Sequence, residues 1–139
     1  VNTAAPILLA RELHAALPPR ARGVVINLLD QKLWNPNPDF LSYTLSKAAL
    51  HTATTTLAQA LAPRVRVFGL SPGPTLANPM EGAEGFEREV AGTLLGRGPS
   101  LAEFGAAIRF VYEATSITGQ TLALDGGQHL AWKTPDVVA

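Results

Sequence analysis

Tyr43 and Lys47 stand four residues apart in a proline-free segment, residues 41–62, that is rich in Ala, Leu and Thr. This composition predicts a helix, and residues four apart lie on one helical face with their β-carbons about 5–6 Å apart. A Lys ammonium about 4 Å from a phenol favours the phenolate by about 4 kcal/mol at an effective dielectric of about 20. The pKa of Tyr43 would then fall from about 10 towards about 7, at about 1.36 kcal/mol per unit. Such a tyrosine can donate or take a proton near neutral pH, as general acid–base catalysis requires.

The Tyr-x-x-x-Lys pattern is short, and its alternative interpretation is a partly buried aromatic ring beside a solvated lysine. The surrounding sequence favours the catalytic interpretation. Small residues, Ala48 and Ala49, follow the lysine, and an apolar segment that ends in an acid, residues 24–30, precedes the tyrosine.

The composition limits the classes of partner. With 139 residues, 47% of them hydrophobic and 16% charged, the chain is long enough for one globular domain with a sizeable core. The 11 basic and 11 acidic residues give a formal net charge of zero, which argues against nucleic acid or an anionic membrane surface as the main partner. No apolar run approaches the roughly 20 residues needed to cross a membrane, so a cytoplasmic protein is expected.

The sequence also argues against a metal site. It has no cysteine, and its three histidines are well separated, without an acid cluster around them. Disulfides and thiolate ligands are therefore excluded, and no bound metal is expected.

Helical segments alternate with apolar segments that predict strands. The helices are expected at residues 2–17, 41–62, 84–95 and 101–114, and the strands at residues 24–29, 65–70 and 120–124. Nearly continuous apolar runs suit strands buried in a parallel sheet with right-handed crossovers. Ligands of such sheets bind outside the carboxyl ends of the strands. The segments expected there are Asp30 with the loop after it, residues 71–75 as an irregular loop, and residues 125–128.

The strand, loop and Tyr–Lys helix together resemble the short-chain dehydrogenase/reductase family, whose catalytic Tyr and Lys occupy the same setting. Asn2, at the start of a small-residue helix, resembles the family's structural and proton-relay Asn, and residues 117–120 and 125–127 resemble its last strand and exit. The resemblance implies an α/β, doubly wound parallel sheet of Rossmann-like type. It also implies that Tyr43 is the proton donor, and that Lys47 lowers its pKa and holds the nicotinamide ribose.

The same resemblance implies a nicotinamide cofactor. Pro72, Gly73 and Thr75 resemble the loop that holds the nicotinamide carboxamide through backbone groups. The family's glycine-rich loop, whose amides cradle a pyrophosphate, has no counterpart before Tyr43. Residues 1–139 are therefore expected to be the C-terminal half of a single NAD(P)-binding Rossmann-like domain whose N-terminal glycine-rich half is missing. NADPH is the expected cofactor. NAD remains the alternative, because the residues that choose between the two normally lie in the other half.

Asp30 departs from the family pattern in a way that bears on the substrate. The family's catalytic Ser lies thirteen residues before the Tyr, where this chain has Asp30. A Ser hydroxyl can donate a hydrogen bond to a substrate carbonyl, whereas an ionised Asp only accepts, so a substrate with N–H donors is favoured. An Asp in this place is similar to the pteridine reductases and the bacterial dihydromonapterin/dihydrofolate reductases of the family. The alternative is an acid that caps a turn at the strand end.

Aromatic and histidine side chains near the tyrosine are weaker candidates. Trp34 and Phe40, in the loop before it, are predicted to stack on a flat substrate, with ordinary loop anchors as the alternative. His129 is within reach of the crevice from the tail, but a surface role is favoured for it, as for His14 and His51.

These residues predict an NADPH-dependent reductase of a pterin or dihydrofolate-like small molecule, in which Asp30 orients the substrate and Asn2 supports Lys47 through water. Two alternatives remain: a family member that acts on an ordinary ketone or alcohol, and a non-catalytic fragment or binding module. The resemblance also implies a homo-oligomer, a dimer or a tetramer, formed through the Tyr–Lys helix.

Overall fold

A parallel sheet flanked by helices makes up the part of the chain that the computed structural model describes, residues 1–79, 82–134 and 136–137. The helices are α1 (Ala4–Ala16), α2 (Leu41–Leu61), α3 (Gly82–Ala91) and α4 (Leu101–Glu113), and the strands are β1 (Gly23–Leu28), β2 (Val65–Pro72) and β3 (Thr121–Leu124). Short 3-10 turns at Gln31–Leu33, Pro38–Phe40 and Gln128–Leu130 complete the regular structure.

The strands lie in the order β1-β2-β3, and both strand pairs are parallel. The central strand, β2, is buried along most of its length, as expected for an apolar strand with a neighbour on each side. Leu28 of β1 pairs with Leu70, and Leu124 of β3 pairs with Pro72. The carboxyl ends of all three strands therefore lie at one edge, which confirms the predicted parallel sheet.

Helices cover both faces of this sheet. Val65 and Val67 are buried against Ala58 of α2 and Ala10 of α1, and each buried valine side chain contributes about 1.5–3 kcal/mol of hydrophobic stabilisation. Successive side chains of a strand alternate between the two faces. Arg66 therefore projects to the opposite face, where its guanidinium binds main-chain oxygens at the end of α4. The predicted doubly wound, Rossmann-like arrangement is confirmed.

The prediction of an irregular loop over residues 71–75 is wrong for its first two residues, because β2 continues to Pro72. Pairing with β1 ends at Leu70, while Gly73 donates its N–H to Leu124 O of β3. Alternate residues of a parallel strand bond to opposite neighbours, so the missing N–H of Pro72 falls on the β1 side, beyond the last pair. Proline is tolerated there because no ladder bond is lost.

The end of α3 and the start of α4 can be compared with the predicted helix boundaries. Helix α3 ends at Ala91, before the predicted residue 95, and Gly92 follows it and closes the last turn on Arg88 O. Helix α4 begins at Leu101, as predicted, and its N-terminus is a capping box, in which Ser100 Oγ accepts from Glu103 N and the Glu103 carboxylate accepts from Ser100 N.

Candidate active site

A buried hydrogen bond fixes α2 against β1 and so positions the Tyr–Lys pair. Asn27 Nδ2 donates to Thr54 Oγ1 over 3.0 Å, and Thr54 Oγ1 donates to Leu50 O over 2.9 Å. Both polar side chains are buried, and a buried polar group left without a partner costs about 1–3 kcal/mol. Residues of α2 that are buried recur at helical spacing: Leu50, Ala53, Thr54, Ala58 and Leu61. The rotation of α2 about its axis is thereby set, and Tyr43 lies on the face that continues towards the end of β1.

Asp30 stands just beyond β1 and uses its two carboxylate oxygens differently. Oδ1 accepts the main-chain N–H of Lys32 over 2.8 Å and caps the first 3-10 turn. Oδ2 accepts the hydroxyl of Tyr43 over 3.1 Å. The turn-capping alternative left open by the sequence therefore describes one oxygen of this carboxylate. The other oxygen lies against the predicted proton donor.

Lys47 reaches the same edge of the sheet from the next turn of α2. Its ammonium donates to Leu28 O over 2.7 Å and lies 5.6 Å from the centroid of the Tyr43 ring. Burial lowers the pKa of Lys47, and the nearby Asp30 carboxylate opposes this shift. An ammonium carries three N–H donors, and the bond to Leu28 uses one of them.

The predicted fall in the pKa of Tyr43 is wrong in this structure. Burial raises the pKa of Tyr43 well above its ordinary value of 10.0, and the charge of Asp30 and the hydrogen bond to Asp30 raise it further. The half-buried phenol is thus held in its protonated form across the neutral range. A protonated phenol is the form that can act as an acid.

Lys32 belongs to this cluster although no sequence pattern pointed to it. Its ammonium lies 3.6 Å from Asp30 Oδ1, 5.0 Å from the centroid of the Phe40 ring and 5.7 Å from that of the Tyr43 ring. The one feature of the sequence that could have suggested this contact is that Lys32 follows Asp30 by two residues, since the first 3-10 turn brings the two side chains together.

The loop after β2 forms the opposite wall of a crevice of about 250 Å³. The crevice is lined by Asp30, Gln31, Lys32, Pro72, Gly73, Pro74, Thr75, Leu76, Glu89 and Gln128. A β-carbon on Gly73 would lie 2.6 Å from Cα of Asp125, so only glycine allows the ends of β2 and β3 to approach this closely. Thr75 closes the loop by donating its hydroxyl to Gly73 O over 2.9 Å. Pro72, Gly73 and Thr75 are therefore brought to the same crevice as Asp30.

Asn2 lies near Lys47 but is exposed. The two residues line one groove of about 680 Å³ between α1 and β1. Thr3, rather than Asn2, ties the start of α1 to α2, because its hydroxyl donates to Ser46 O over 3.0 Å. The predicted support of Lys47 by Asn2 through water stays a prediction.

Trp34 and Phe40 are partly exposed at 41% and 45%, and neither is among the described residues that line the crevice. The centroid of the Trp34 ring lies 5.0 Å from that of the His129 ring and 6.5 Å from that of the His51 ring. His129 is in turn held by the buried Asp125, whose Oδ2 lies 2.8 Å from His129 Nδ1. These contacts favour the loop-anchor alternative for Trp34 and connect its loop to the tail after β3.

The described residues contain no group of three or more side chains of the metal-binding types. None of the helices in the described ranges is long and apolar enough to cross a membrane.

Comparisons with known proteins agree with this geometry. A family model described as enoyl-(acyl carrier protein) reductase matches residues 1–129. Two curated relatives are dihydromonapterin reductases, from Escherichia coli O6:K15:H31 (strain 536) and from Citrobacter koseri. Each is 30% identical to this chain over 132 residues, which cover 94% of this chain and 54% of the relative. The chain spans about half the length of the curated relatives it matches.

Solved structures give the same picture at higher identity. The FolM alternative dihydrofolate reductase 1 from Brucella suis, crystallised with NADP, superposes with a TM-score of 0.94 at 53% identity, covering 99% of this chain and 56% of that one. The corresponding Brucella canis protein, also with NADP, gives a TM-score of 0.91 at 55% identity, covering 96% of this chain and 53% of that one. With its parallel sheet, its Tyr–Lys helix and a family match over nearly its whole length, this chain belongs to the short-chain dehydrogenase/reductase family.

Proposed function

We propose that residues 1–139 are the C-terminal half of one Rossmann-like domain, in an NADPH-dependent reductase that acts on a dihydropterin or dihydrofolate-like substrate. The observation that carries the proposal is the carboxylate of Asp30, which lies 3.1 Å from the Tyr43 hydroxyl. The names of the similar proteins support the substrate class, and the NADP in the two Brucella structures supports the cofactor. The mass of the intact protein tests the assignment of the domain.

Asp30 favours a substrate with N–H donors. Each carboxylate oxygen accepts about two hydrogen bonds, so Oδ2 can accept a substrate N–H as well as the Tyr43 hydroxyl. An aminopyrimidine ring presents such donors, whereas an isolated ketone presents only an acceptor that a carboxylate would repel. The same carboxylate therefore selects the substrate and places it beside the proton donor.

The residues present fit a nicotinamide cofactor. Lys47 has N–H donors beyond the one bound to Leu28, and an ammonium suits the hydroxyls of a ribose. In the described part of the chain, the main-chain N–H groups of Thr75 and Leu76 have no main-chain acceptor, and such groups suit a carboxamide. When bound, NADPH supplies a hydride.

Tyr43 supplies the proton in this proposal. Reduction of a C=N bond adds a hydride to carbon and a proton to nitrogen. Tyr43, whose hydroxyl now donates to Asp30, turns that donor to the substrate nitrogen. The tyrosinate that remains has two ammonium groups near it, those of Lys47 and Lys32, at 5.6 and 5.7 Å from the ring centroid. These cations favour the proton transfer because they stabilise the anion that it creates.

The other roles predicted from the sequence remain part of the proposal. In it, Asn2 supports Lys47 through water and Phe40 contacts the substrate, while Trp34 anchors its loop. The protein is a cytoplasmic homo-oligomer, as a homotetramer or dimer. The exposed side chains of Leu41 and Leu45 on α2 support an interface on that helix, since burying them against a copy would remove apolar surface from water.

The test is an activity assay on the full-length protein. With NADPH, we expect reduction of a dihydropterin or dihydrofolate at a kcat/KM at least about tenfold above that for a small ketone, because only the pterin offers donors to Asp30. A protein that reduces the ketone and ignores both pterins is an ordinary carbonyl reductase. A protein that reduces neither has another function.

A further inference from the structure

Lys32 is held in one place by three contacts. Its side chain is 17% exposed, and its ammonium lies 3.6 Å from Asp30 Oδ1. The same ammonium lies 5.0 Å from the centroid of the Phe40 ring and 5.7 Å from that of Tyr43, both within the range of a cation–π interaction. An unrestrained surface lysine would not be packed between a carboxylate and two aromatic rings.

We propose that Lys32 is a positioning residue of the active site, which balances the charge of Asp30 and directs its free oxygen to Tyr43 and the substrate. The inference rests on the proposed reductase function and deepens it. The main-chain N–H and the ammonium of Lys32 both lie at Oδ1. Oδ2 is thereby the oxygen left for Tyr43 and for a substrate donor.

Charge balance at the moment of proton transfer gives Lys32 its role. When Tyr43 loses its proton, a second negative charge forms beside Asp30, since the two oxygens are 3.1 Å apart. Lys47 supplies one positive charge close to the ring and Lys32 supplies the other. Two ammonium groups then face two anions, whereas without Lys32 one anion is left uncompensated.

The charged groups around Lys32 come from three elements. Asp30 precedes the first 3-10 turn, Tyr43 and Lys47 come from α2, and Glu89 of α3 lines the same crevice. Asp30 forms an ion pair with Lys32, with 3.6 Å between Oδ1 and Nζ. Removing the ammonium therefore acts first on Asp30 and, through it, on Tyr43.

The kinetic test compares Lys32→Met, Lys32→Arg and a matched control, Lys133→Met, in the full-length protein, since Lys133 is exposed. We expect Lys32→Met to lower kcat for dihydropterin at least about tenfold while KM for NADPH changes less than about twofold. Lys32→Arg should keep most of the rate, because its guanidinium retains the positive charge beside Asp30, and Lys133→Met should leave kcat and KM unchanged.

A second measurement does not depend on activity. The ¹³Cζ resonance of Tyr43, assigned with Tyr43→Phe, is recorded by NMR at neutral pH in the wild type and the three Lys variants. We expect it to move in Lys32→Met alone, because the hydroxyl of Tyr43 then meets a carboxylate that Lys32 no longer holds in place. An unmoved resonance, or a loss of rate that arginine does not restore, overturns the inference and leaves Lys32 a packing residue. A wild type that ignores pterins overturns the proposed function only, because the NMR comparison still decides the role of Lys32.

Discussion

The hydroxyl of Tyr43 donates to Oδ2 of Asp30 over 3.1 Å, although the two residues are thirteen positions apart. The proton that a reductase would give to its substrate is thus held by the carboxylate that would bind that substrate. A substrate N–H that reaches Oδ2 would share that oxygen with the hydroxyl, since a carboxylate oxygen accepts about two hydrogen bonds. Binding of a substrate donor and placement of the proton donor would then depend on one atom.

Replacing Tyr43 with Phe removes the proposed proton donor and keeps an aromatic ring near Lys32 and Lys47. We expect kcat in the full-length protein to fall at least about a hundredfold, because general acid catalysis contributes about 10²–10⁴-fold, while NADPH still binds. Steady-state kinetics and a fluorescence titration with NADPH measure the two effects. Tyr112→Phe is the matched control, since Tyr112 is 68% exposed. Rates within about tenfold of wild type would remove Tyr43 from the mechanism.

The raised pKa of Tyr43 gives a prediction about pH. Burial is its largest cause and Asp30 adds to it, so Asp30→Asn should let Tyr43 ionise at a lower pH, although still above 10.0. The sign follows because a neutral amide no longer repels the phenolate. Tyrosinate absorbance during an alkaline titration measures it, and subtraction of the Tyr43→Phe signal isolates this residue. An ionisation pH that does not fall in Asp30→Asn would contradict the assigned cause.

Arg66 is expected to stabilise the fold. Its guanidinium donates to four main-chain oxygens near the end of α4, those of Val111, Tyr112, Ala114 and Ile117, over 2.8–3.1 Å. Arg66→Met in the full-length protein should lower the free energy of unfolding by about 1–3 kcal/mol, because these oxygens lose a charged donor. Urea unfolding measures the change. Arg11→Met removes only an exposed ion pair with Glu12 and should cost less than about 0.5 kcal/mol. Equal effects of the two substitutions would rule out this role.

The fold was predictable from the sequence because its signals are local. Apolar runs gave the strands, and the Ala- and Leu-rich segments gave the helices within a few residues. The extension of β2 to Pro72 was missed because proline usually excludes a central strand. Its tolerance depends on where the neighbouring strand β1 stops, which is a property of the assembled sheet.

The site was predictable only in part. The spacing of Asp30, Tyr43 and Lys47 indicated residues that the fold does bring together. The predicted direction of the Tyr43 pKa shift was wrong, because the shift depends on burial and on contact with Asp30. Neither can be read from an i, i+4 pattern. Lys32 was missed for the same reason, since a 3-10 turn in a loop has no periodicity that reveals its contacts.

The substitution Asp30→Ser tests the link between this carboxylate and the substrate class. Serine restores the donor that the family has at this position, and it removes the acceptor for ring N–H groups. In the full-length protein, the fall in kcat/KM for a dihydropterin should correspond to a loss of about 2–4 kcal/mol in transition-state stabilisation, because the donors are left unpaired in a closed site. The rate with a small ketone should stay the same or rise, since the hydroxyl can donate to a carbonyl.

Both substrates must be assayed on both proteins, because misfolding would lower the two rates together. Asp39→Ser is the matched control, since Asp39 is an exposed aspartate of the same loop, and it should leave both rates unchanged. A fall for the pterin with no fall for the ketone assigns substrate recognition to the Asp30 carboxylate. If the wild type reduces ketones but not pterins and Asp30→Ser changes neither rate, Asp30 serves only to cap the turn at Lys32, and the pterin proposal is wrong.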